Sequence, residues 1–201
     1  MAFPISIVVP HQRSRADFFQ KYSLPSIRMN DPYEVFIEDY EGGACQKRNS
    51  GAAKCTQPYV LFVDDDTVLA GDCIPKMLAL LQSRPDLGYA YSNYIGYSWP
   101  GIEHPNGPNY VMTSRPFDDS VLRYANFIDT TSLVRRSVFP GFDPAIKRLQ
   151  DWDLWLTMLG QGVRGGYIND VLFFKFTIDQ GISATVPIEE STKIIRQKHR
   201  L

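Results

Sequence analysis

The chain lacks several features that would place it in a particular class of protein. Its amino-terminal residues show no basic stretch followed by a long apolar run, so we expect neither a signal peptide nor a transmembrane segment there. The formal net charge is only −1, and both signs are interspersed, which argues against general binding to nucleic acid or to an anionic membrane. There is also no internal repeat and no low-complexity tail.

Cysteine is scarce, and the three cysteines do not suit a disulfide framework. Cys45, Cys55 and Cys73 are odd in number and lack the spacing of a metal site. Because disulfides are rare in reducing compartments, unpaired thiols favour a cytoplasmic protein. We expect these cysteines to be small buried side chains.

The length and the apolar pattern predict one α/β domain. A chain of 201 residues is long enough for one well-buried core and too short for two full domains. Apolar segments at 5–9, 34–38 and 59–63 predict strands, and helix-compatible segments separate them. Strands that alternate with helices indicate βαβ crossovers and a mostly parallel sheet.

The remaining predicted elements are less evenly spaced. Residues 94–126 are rich in Gly, Pro, Asn and Tyr and show little periodicity, which predicts a long functional loop or an irregular insertion. The other predictions are helices at 17–29, 44–54, about 72–84, about 150–159 and 188–199, strands at 88–92 and 166–174, and ordered structure at 130–135.

The most informative segment is an apolar run that ends in three carboxylates, Asp64, Asp65 and Asp66. Ligands of open α/β sheets bind beyond the carboxyl ends of the strands, so this triplet lies where chemistry usually takes place. Adjacent negative charges repel one another, and Mg²⁺ or Mn²⁺ with a bound phosphate would relieve the repulsion. The simpler alternative is an acidic turn that caps the next element.

Polar residues near the ends of the neighbouring strands predict a ligand crevice at the same edge. The first strand ends at Pro10 and the second close to Asp39, and a parallel topology would bring both near the triplet. A glycine-led helix start then precedes Lys47 and Arg48, which suit a diphosphate or a uracil-like base. Taken alone this segment is a weak signal, because exposed Lys and Arg pairs are usually solvated.

A further carboxylate, Asp151, lies at the start of a predicted helix whose tryptophans can pack inward. Such a group can accept a proton from a substrate. The helix dipole lowers the pKa of a carboxyl in this position, which weakens it as a base unless burial opposes the shift. The alternative is a helix cap without a chemical role.

In their order along the chain, these motifs resemble the family 2 glycosyltransferases of the GT-A fold. The resemblance extends from residue 5 to about residue 183, and each motif is short although their order is specific. The landmarks are Ser6-Ile7-Val8-Val9-Pro10, an acidic residue after the second strand, Arg48-Asn49-Ser50-Gly51, Val63-Asp64-Asp65-Asp66, and Gly141-Phe142-Asp143 with Gln150-Asp151-Trp152-Asp153-Leu154. The resemblance implies a single Rossmann-like GT-A domain over 1–201, with a nucleotide-sugar-binding half at 1–92 and an acceptor-binding half at 93–201.

The resemblance also implies roles for individual residues. Pro10 and Asp39 would border the nucleotide base, Arg48 would help to bind the nucleotide, and Asp64 would contact the ribose. Asp66, together with Asp64, would hold Mn²⁺ or Mg²⁺ on the diphosphate. Asp151 would be the catalytic base. The nucleotide-sugar site as a whole would comprise Pro10, Asp39, Arg48, Asp64 and Asp65.

The implied activity is a metal-dependent, inverting transfer of a hexose in carbohydrate biosynthesis. The donor would be a UDP- or GDP-sugar, and the acceptor would be a hydroxyl group of a carbohydrate or another glycoconjugate. Tyr94, Tyr97 and Trp99 are candidates for contact with the acceptor.

Two departures from the family pattern concern the site. The family usually has Glu-Asp where this chain has Gln150 and Asp151, which alters the local charge but retains the Asp. Members often carry a His before residues equivalent to 182–183, whereas here residues 177–180 are Thr-Ile-Asp-Gln, so the third metal ligand is unassigned. His199 could reach back to the site, although a histidine on a charged helix is more often exposed.

Two other functions are compatible with the sequence. The acidic triplet also resembles the motif of haloacid-dehalogenase-like phosphatases, in which Asp64 would be the nucleophile and Asp66 the acid or base. That family places its motif on the first strand, whereas about two βα units precede the triplet here. A non-catalytic nucleotide-sugar-binding module is the second alternative.

Overall fold

The computed structural model describes residues 2–98, 109–179 and 181–201. The first part of the chain alternates strands and helices, as the apolar pattern predicts. Up to residue 62 the elements are β1 (Phe3–Pro10), a 3₁₀ turn (Arg13–Arg15), α1 (Ala16–Phe18), a π-helical stretch (Phe19–Ser23), α2 (Leu24–Met29), β2 (Pro32–Glu38), α3 (Ala44–Lys54) and β3 (Tyr59–Phe62).

The second part adds the remaining strands and the helices that cover them. These elements are β4 (Thr67–Leu69), α4 (Cys73–Ser83), β5 (Leu87–Ser98), β6 (Asn109–Met112), α5 (Asp119–Tyr124), β7 (Leu133–Arg135), a 3₁₀ turn (Arg136–Val138), α6 (Gln150–Gly160), β8 (Arg164–Thr177), α7 (Ile182–Thr185) and α8 (Ile188–His199).

The described strands form one eight-stranded sheet in the order β2-β1-β3-β7-β5-β8-β4, with β6 paired to β5. Strands β1, β2, β3, β5 and β8 run in one direction, whereas β4, β6 and β7 run in the other. The predicted single α/β domain with a mostly parallel central sheet is therefore confirmed.

Strands β1 and β3 are almost entirely apolar, and helices cover both faces of the sheet around them. Ile7 and Leu61 pack into a core that includes side chains of α2 and α4. Val8 and Phe62 pack on the opposite face with side chains of α3 and α6. A buried parallel sheet requires this continuous apolar character. The three cysteines are buried and unpaired, which confirms the expectation for them.

Helix α3 lies close to β1 because residue 51 is glycine. A Cβ atom added to Gly51 would lie 2.3 Å from Cγ1 of Val8, which is too close for two carbon atoms that are not bonded to each other. The close approach holds the preceding turn of α3, which carries Arg48, beside the carboxyl ends of β1 and β3.

Residues 94–126 contain more regular structure than their composition predicts. Strand β5 continues to Ser98, and both β6 and α5 fall within this stretch. The reason is long-range pairing: β5 pairs with β8 over its whole length, and this partner is invisible in the local composition. Trp99 lies outside the described residues.

Candidate active site

Side chains from four separate parts of the fold meet beyond the carboxyl end of β3. The acidic triplet follows β3 directly, Arg15 lies in the 3₁₀ turn after β1, Arg48 lies on α3, and Lys175 lies on β8. Parallel strands that end at one edge of a sheet bring their following loops together there. The structure therefore surrounds the carboxylates with cations from distant parts of the chain.

Asp64 is paired with two of these cations. Its Oδ1 atom accepts a hydrogen bond of 2.6 Å from Nη2 of Arg48, and its Oδ2 atom lies 3.4 Å from Nζ of Lys175. Burial alone would raise the pKa of Asp64, but the two neighbouring cations hold it well below its usual value. Asp64 is thus a carboxylate at neutral pH.

Asp65 is directed into the protein and is only 1% exposed. Its Oδ2 atom lies 3.0 Å from Nδ1 of His11 and accepts a hydrogen bond of 2.6 Å from the backbone N–H of Gln12. Its Oδ1 atom lies 3.0 Å from Nη1 of Arg15. Both oxygens therefore anchor the loop after β1, and the predicted role of Asp65 in nucleotide-sugar binding remains a prediction.

Asp66 has one engaged and one free oxygen. Its Oδ2 atom accepts a hydrogen bond of 2.7 Å from Nη1 of Arg15, whereas its Oδ1 atom is buried without a partner. Burial raises the pKa of Asp66 to about 7, against the lowering effect of Arg15. A buried acceptor without a partner costs about 1–3 kcal/mol, and a bound cation would remove that cost.

These residues fit a divalent metal that is bound together with phosphate. Mg²⁺ in such sites is held through one or two carboxylates plus phosphate oxygens and water. Oδ1 of Asp66 provides an unpartnered ligand of this kind. Within residues 2–98, 109–179 and 181–201, no three His, Cys, Asp or Glu side chains form a metal site by themselves. The site therefore suits a metal whose coordination is completed by phosphate oxygens of a bound ligand. It does not suit a metal that protein side chains alone enclose.

Arg15, which the sequence analysis did not identify, holds three carboxylates at once. Besides Asp65 and Asp66, it binds Asp179 through two hydrogen bonds of 2.8 and 2.6 Å from Nε and Nη2. Burial alone would lower the pKa of the guanidinium, but these carboxylates raise it well above its usual value. Asp179 belongs to the segment where the third metal ligand was unassigned, and Gln180 lies outside the described residues.

Arg48 connects the triplet to the start of α6. It is only 6% exposed, and its second terminal nitrogen, Nη1, donates a hydrogen bond of 2.7 Å to Oε1 of Gln150. Its guanidinium lies 5.2 Å from the ring centroid of Phe142. The Gln that replaces the usual Glu is therefore a neutral acceptor for an arginine that Asp64 already neutralises.

Asn49, the neighbour of Arg48, fixes the segment that precedes α6. Its Nδ2 atom donates to the carbonyl of Phe142, and its Oδ1 atom accepts from the N–H of the same residue, both at 2.8 Å. Gly141 has a φ of 93°, a left-handed conformation that favours glycine. Two motifs about 90 residues apart in the sequence thus form one hydrogen-bonded unit.

Asp151 lies at the start of α6 and lines a cleft of about 240 Å³. Burial and the nearby charge of Asp129 raise its pKa to about 6, although the N–H of Trp152 donates a hydrogen bond of 2.9 Å to its carboxylate. Burial and Asp129 therefore outweigh the groups that lower this pKa, namely Lys175, the N–H of Trp152 and Arg48, and the carboxyl can accept a proton near neutral pH. The cleft is lined by Tyr94, Met112, Thr113, Ser114, Asn126, Phe127, Ile128, Asp129 and Asp151.

The other predicted residues lie at varying distances from this centre. Pro10 ends β1 and is buried. Asp39 is exposed on the loop after β2, where its carboxylate lies 3.7 Å from Nη2 of Arg13. Lys47 is only 6% exposed and donates a hydrogen bond of 2.6 Å to the carbonyl of His11, so it anchors the end of β1.

His199 does not contact the acidic triplet. Its Nε2 atom lies 2.8 Å from Oδ1 of Asp153, and the adjacent Lys198 lies 2.9 Å from Oδ2 of the same buried carboxylate. The side chain of His199 is only 12% exposed, so the expectation of an exposed histidine is wrong. These contacts fasten α8 to the first turn of α6, beside Asp151.

Three charged residues at the site escaped the sequence analysis: Arg15, Asp129 and Lys175. Lys175 offered a signal, since it is a lone charge among the aromatic residues of β8. Arg15 and Asp129 lie in segments without periodicity, where nothing local separates a buried charge from a solvated one.

Comparison with known proteins identifies a family. Residues 15–141 match the family described as glycosyl transferase family 2. An uncharacterized glycosyltransferase of Haemophilus influenzae is 24% identical over 166 residues, which are 78% of this chain and 52% of the relative. Beta-1,4 N-acetylgalactosaminyltransferase 1 of Rattus norvegicus is 29% identical over 167 residues, which are 72% of this chain and 30% of the relative. The chain thus spans about half or less of these relatives.

Solved structures with the same fold are more distant in sequence. TarS 1–349 of S. aureus in complex with UDP-GlcNAc has a TM-score of 0.71 at 14% identity, over 98% of this chain and 65% of that one. The mannosyltransferase PcManGT from Pyrobaculum calidifontis in complex with GDP-Man and Mn²⁺ has a TM-score of 0.53 at 14% identity, over 100% of this chain and 62% of that one. The likeness supports the predicted GT-A fold.

In the part of the chain that the structure describes, no helix has both the length and the apolar character needed to cross a bilayer.

Proposed function

Because the chain belongs to glycosyl transferase family 2, we propose that it transfers a hexose from a nucleotide-sugar donor to a hydroxyl group of a carbohydrate or other glycoconjugate. The observation that carries this proposal is the position of Arg48, which binds both Asp64 and Gln150. One buried side chain thereby joins the carboxylates proposed for the donor to the helix that carries the proposed base. Donor and acceptor sites of a transferase must adjoin in this way.

On the donor side, Asp64 would bind the ribose, and Arg48 would help to bind the nucleotide whose base lies near Pro10 and Asp39. Asp66, with Asp64, would hold Mn²⁺ or Mg²⁺, and Asp65 would support this site through the loop that it anchors. When bound, a divalent metal would supply positive charge that stabilises the leaving diphosphate. Arg15 already keeps Oδ2 of Asp66 in place and leaves Oδ1 available.

On the acceptor side, Asp151 would accept the proton of the attacking hydroxyl group. With a pKa of about 6 it is ionised at pH 7.5 and can still be protonated during the reaction. Attack on the anomeric carbon from the face opposite the leaving group would invert the configuration in one displacement. The adjoining cleft, lined by Tyr94 and Phe127 among others, is the proposed place for the acceptor.

A thermal-shift screen tests donor binding directly. TarS is known with UDP-GlcNAc and PcManGT with GDP-Man and Mn²⁺, so UDP, GDP and their sugars are the first ligands to try, each with and without Mn²⁺. A ligand at 100 times its Kd adds about 2.7 kcal/mol of stability, which for a chain of this size raises Tm by roughly 5–10 °C. No shift with any nucleotide, with or without metal, would contradict the proposal.

Activity assays separate the alternatives. Release of UDP or GDP from a sugar nucleotide, measured with and without candidate acceptors, supports a transferase, whereas a binding module shows no release. A haloacid-dehalogenase-like phosphatase would hydrolyse p-nitrophenyl phosphate. Membership of the glycosyl transferase family leaves that alternative without support.

A further inference from the structure

Lys175 is a charged residue inside an aromatic strand. In β8 it lies between Phe174 and Phe176, and it pairs in register with Thr67 of β4 and Gly96 of β5. Its side chain is only 22% exposed. A strand position with partners on both sides ordinarily takes an apolar side chain, so the lysine needs a specific reason to be there.

The contacts of Lys175 join the two sides of the proposed active site. Its Nζ atom lies 2.9 Å from Oδ2 of Asp129 and 3.4 Å from Oδ2 of Asp64, and it lies 5.8 Å from the ring centroid of Tyr94. Burial alone would lower the pKa of Lys175, but these carboxylates hold it well above its usual value. Lys175 therefore carries a positive charge at neutral pH between the acidic triplet and the cleft.

The charges that face Asp151 come from several elements. Asp129, from the loop before β7, raises the pKa of Asp151, whereas Lys175 on β8 and Arg48 on α3 lower it. Tyr94 of β5 lines the same cleft, and the backbone N–H of Trp152 donates a hydrogen bond to the carboxylate. The ion pair of Lys175 and Asp129 thus lies at the cleft that the proposed base also lines, because Asp129 and Asp151 are both part of its wall.

We infer that Lys175 is a positioning residue of the proposed reaction: its ammonium group neutralises Asp129 and so keeps Asp151 in the ionised form that accepts a proton. The inference rests on the proposed function of Asp151 as base. A purely structural role explains the lysine less well, because a buried ion pair is often replaced by apolar side chains without loss of stability.

The titration of Asp151 tests the inference without any need for turnover. In protein labelled with ¹³C at the aspartate carboxyl carbons, the Asp151 signal is assigned by its loss in D151N and followed by NMR from pH 4 to pH 9. Removing a nearby cation raises the pKa of a carboxyl by about one pH unit or more. Lys175→Met should therefore raise the pKa of Asp151 from about 6 to about 7.

Three further variants give the matched comparisons. Asp129→Asn should lower the pKa of Asp151, the double variant D129N/K175M should return it close to the wild-type value, and Lys175→Arg should leave it nearly unchanged. An unaltered pKa in K175M, or shifts of the same sign in K175M and D129N, would overturn the inference. Should K175M not fold, D129N and the double variant carry the test, because adding Lys175→Met to D129N must raise the pKa of Asp151 again.

Kinetics then distinguish this inference from the proposed function. If the protein turns over the sugar-nucleotide donor, the acidic limb of the plot of kcat against pH should move with the pKa of Asp151 that NMR gives for each variant. A wild-type protein without turnover contradicts the proposed function, whereas the NMR titration still decides whether Lys175 controls Asp151. A loss of kcat in K175M without any movement of the acidic limb would count against the positioning role.

Discussion

Replacing Arg48 by methionine should destabilise the protein, because the substitution breaks a buried ion pair. Arg48 is 6% exposed and donates hydrogen bonds of 2.6 and 2.7 Å to Asp64 and Gln150. Removing one partner of a buried pair costs about 3–5 kcal/mol. Lys175 remains 3.4 Å from the carboxylate of Asp64, so we expect the lower end of that range, about 3 kcal/mol.

Urea unfolding followed by tryptophan fluorescence measures this loss. For a chain of 201 residues, about 3 kcal/mol corresponds to a fall in Tm of roughly 6–12 °C. Arg136→Met is the matched control, since the exposed Arg136 donates one hydrogen bond to the carbonyl of Gln57, and its loss should cost less than about 0.5 kcal/mol. If R48M loses no more than the control, Arg48 does not hold the site together.

The pH dependence gives a second, independent check. Burial would raise the pKa of Asp64, but Arg48 and Lys175 hold it well below its usual value in the folded protein. The stabilisation is therefore complete above the pKa of the unfolded chain, about 3.9, and is lost as the pH falls through the folded value. The difference in stability between wild type and R48M should be full at pH 7 and shrink below about pH 4. A difference that stays constant from pH 7 to pH 3 would refute the reasoning.

Three more predictions concern the proposed chemistry and the packing beneath it. Asp151→Asn should lower kcat by about 10²-fold or more with little change in donor affinity, and normal turnover in D151N would remove Asp151 from the mechanism. In the wild type, kcat should fall about tenfold per pH unit below pH 6, because protonation of Asp151 disables the base. Asp66→Asn should abolish the Mn²⁺-dependent part of nucleotide binding in calorimetry, and an unchanged affinity with Mn²⁺ would count against the metal assignment. Gly51→Ala should cost about 1–3 kcal/mol because the added Cβ would lie 2.3 Å from Val8. Thermal melts measure this loss, and Gly160→Ala, where the added Cβ meets nothing within 4 Å, should be neutral or slightly stabilising in them.

The fold was largely predictable because its signals are local. Continuous apolar strands separated by helical segments indicate a covered, mostly parallel sheet, and the predicted helices at 44–54 and 188–199 match α3 and α8. The stretch at 94–126 was not predictable in this way. The extended conformation of β5 depends on β8, which follows it by more than 60 residues.

The candidate site was predictable only in part. Asp64, Asp66, Arg48 and Asp151 stand out because short motifs carry them, and the structure brings them to one edge of the sheet. Whether burial or the helix dipole controls the pKa of Asp151 is not decided by the motif. That balance depends on Asp129 and on desolvation, which exist only in the folded chain.

By itself, the sequence determined the α/β class, the edge of the sheet where the candidate site lies and the motifs that indicate a glycosyltransferase. Each of these follows from the periodicity of side chains or from the order of short segments. Only the tertiary structure decided which cation neutralises which carboxylate: Arg15 with Asp66, Arg48 with Asp64, and Lys175 with Asp129. Electrostatic pairing depends on distance in space and on burial, and neither is written in the spacing of residues along the chain.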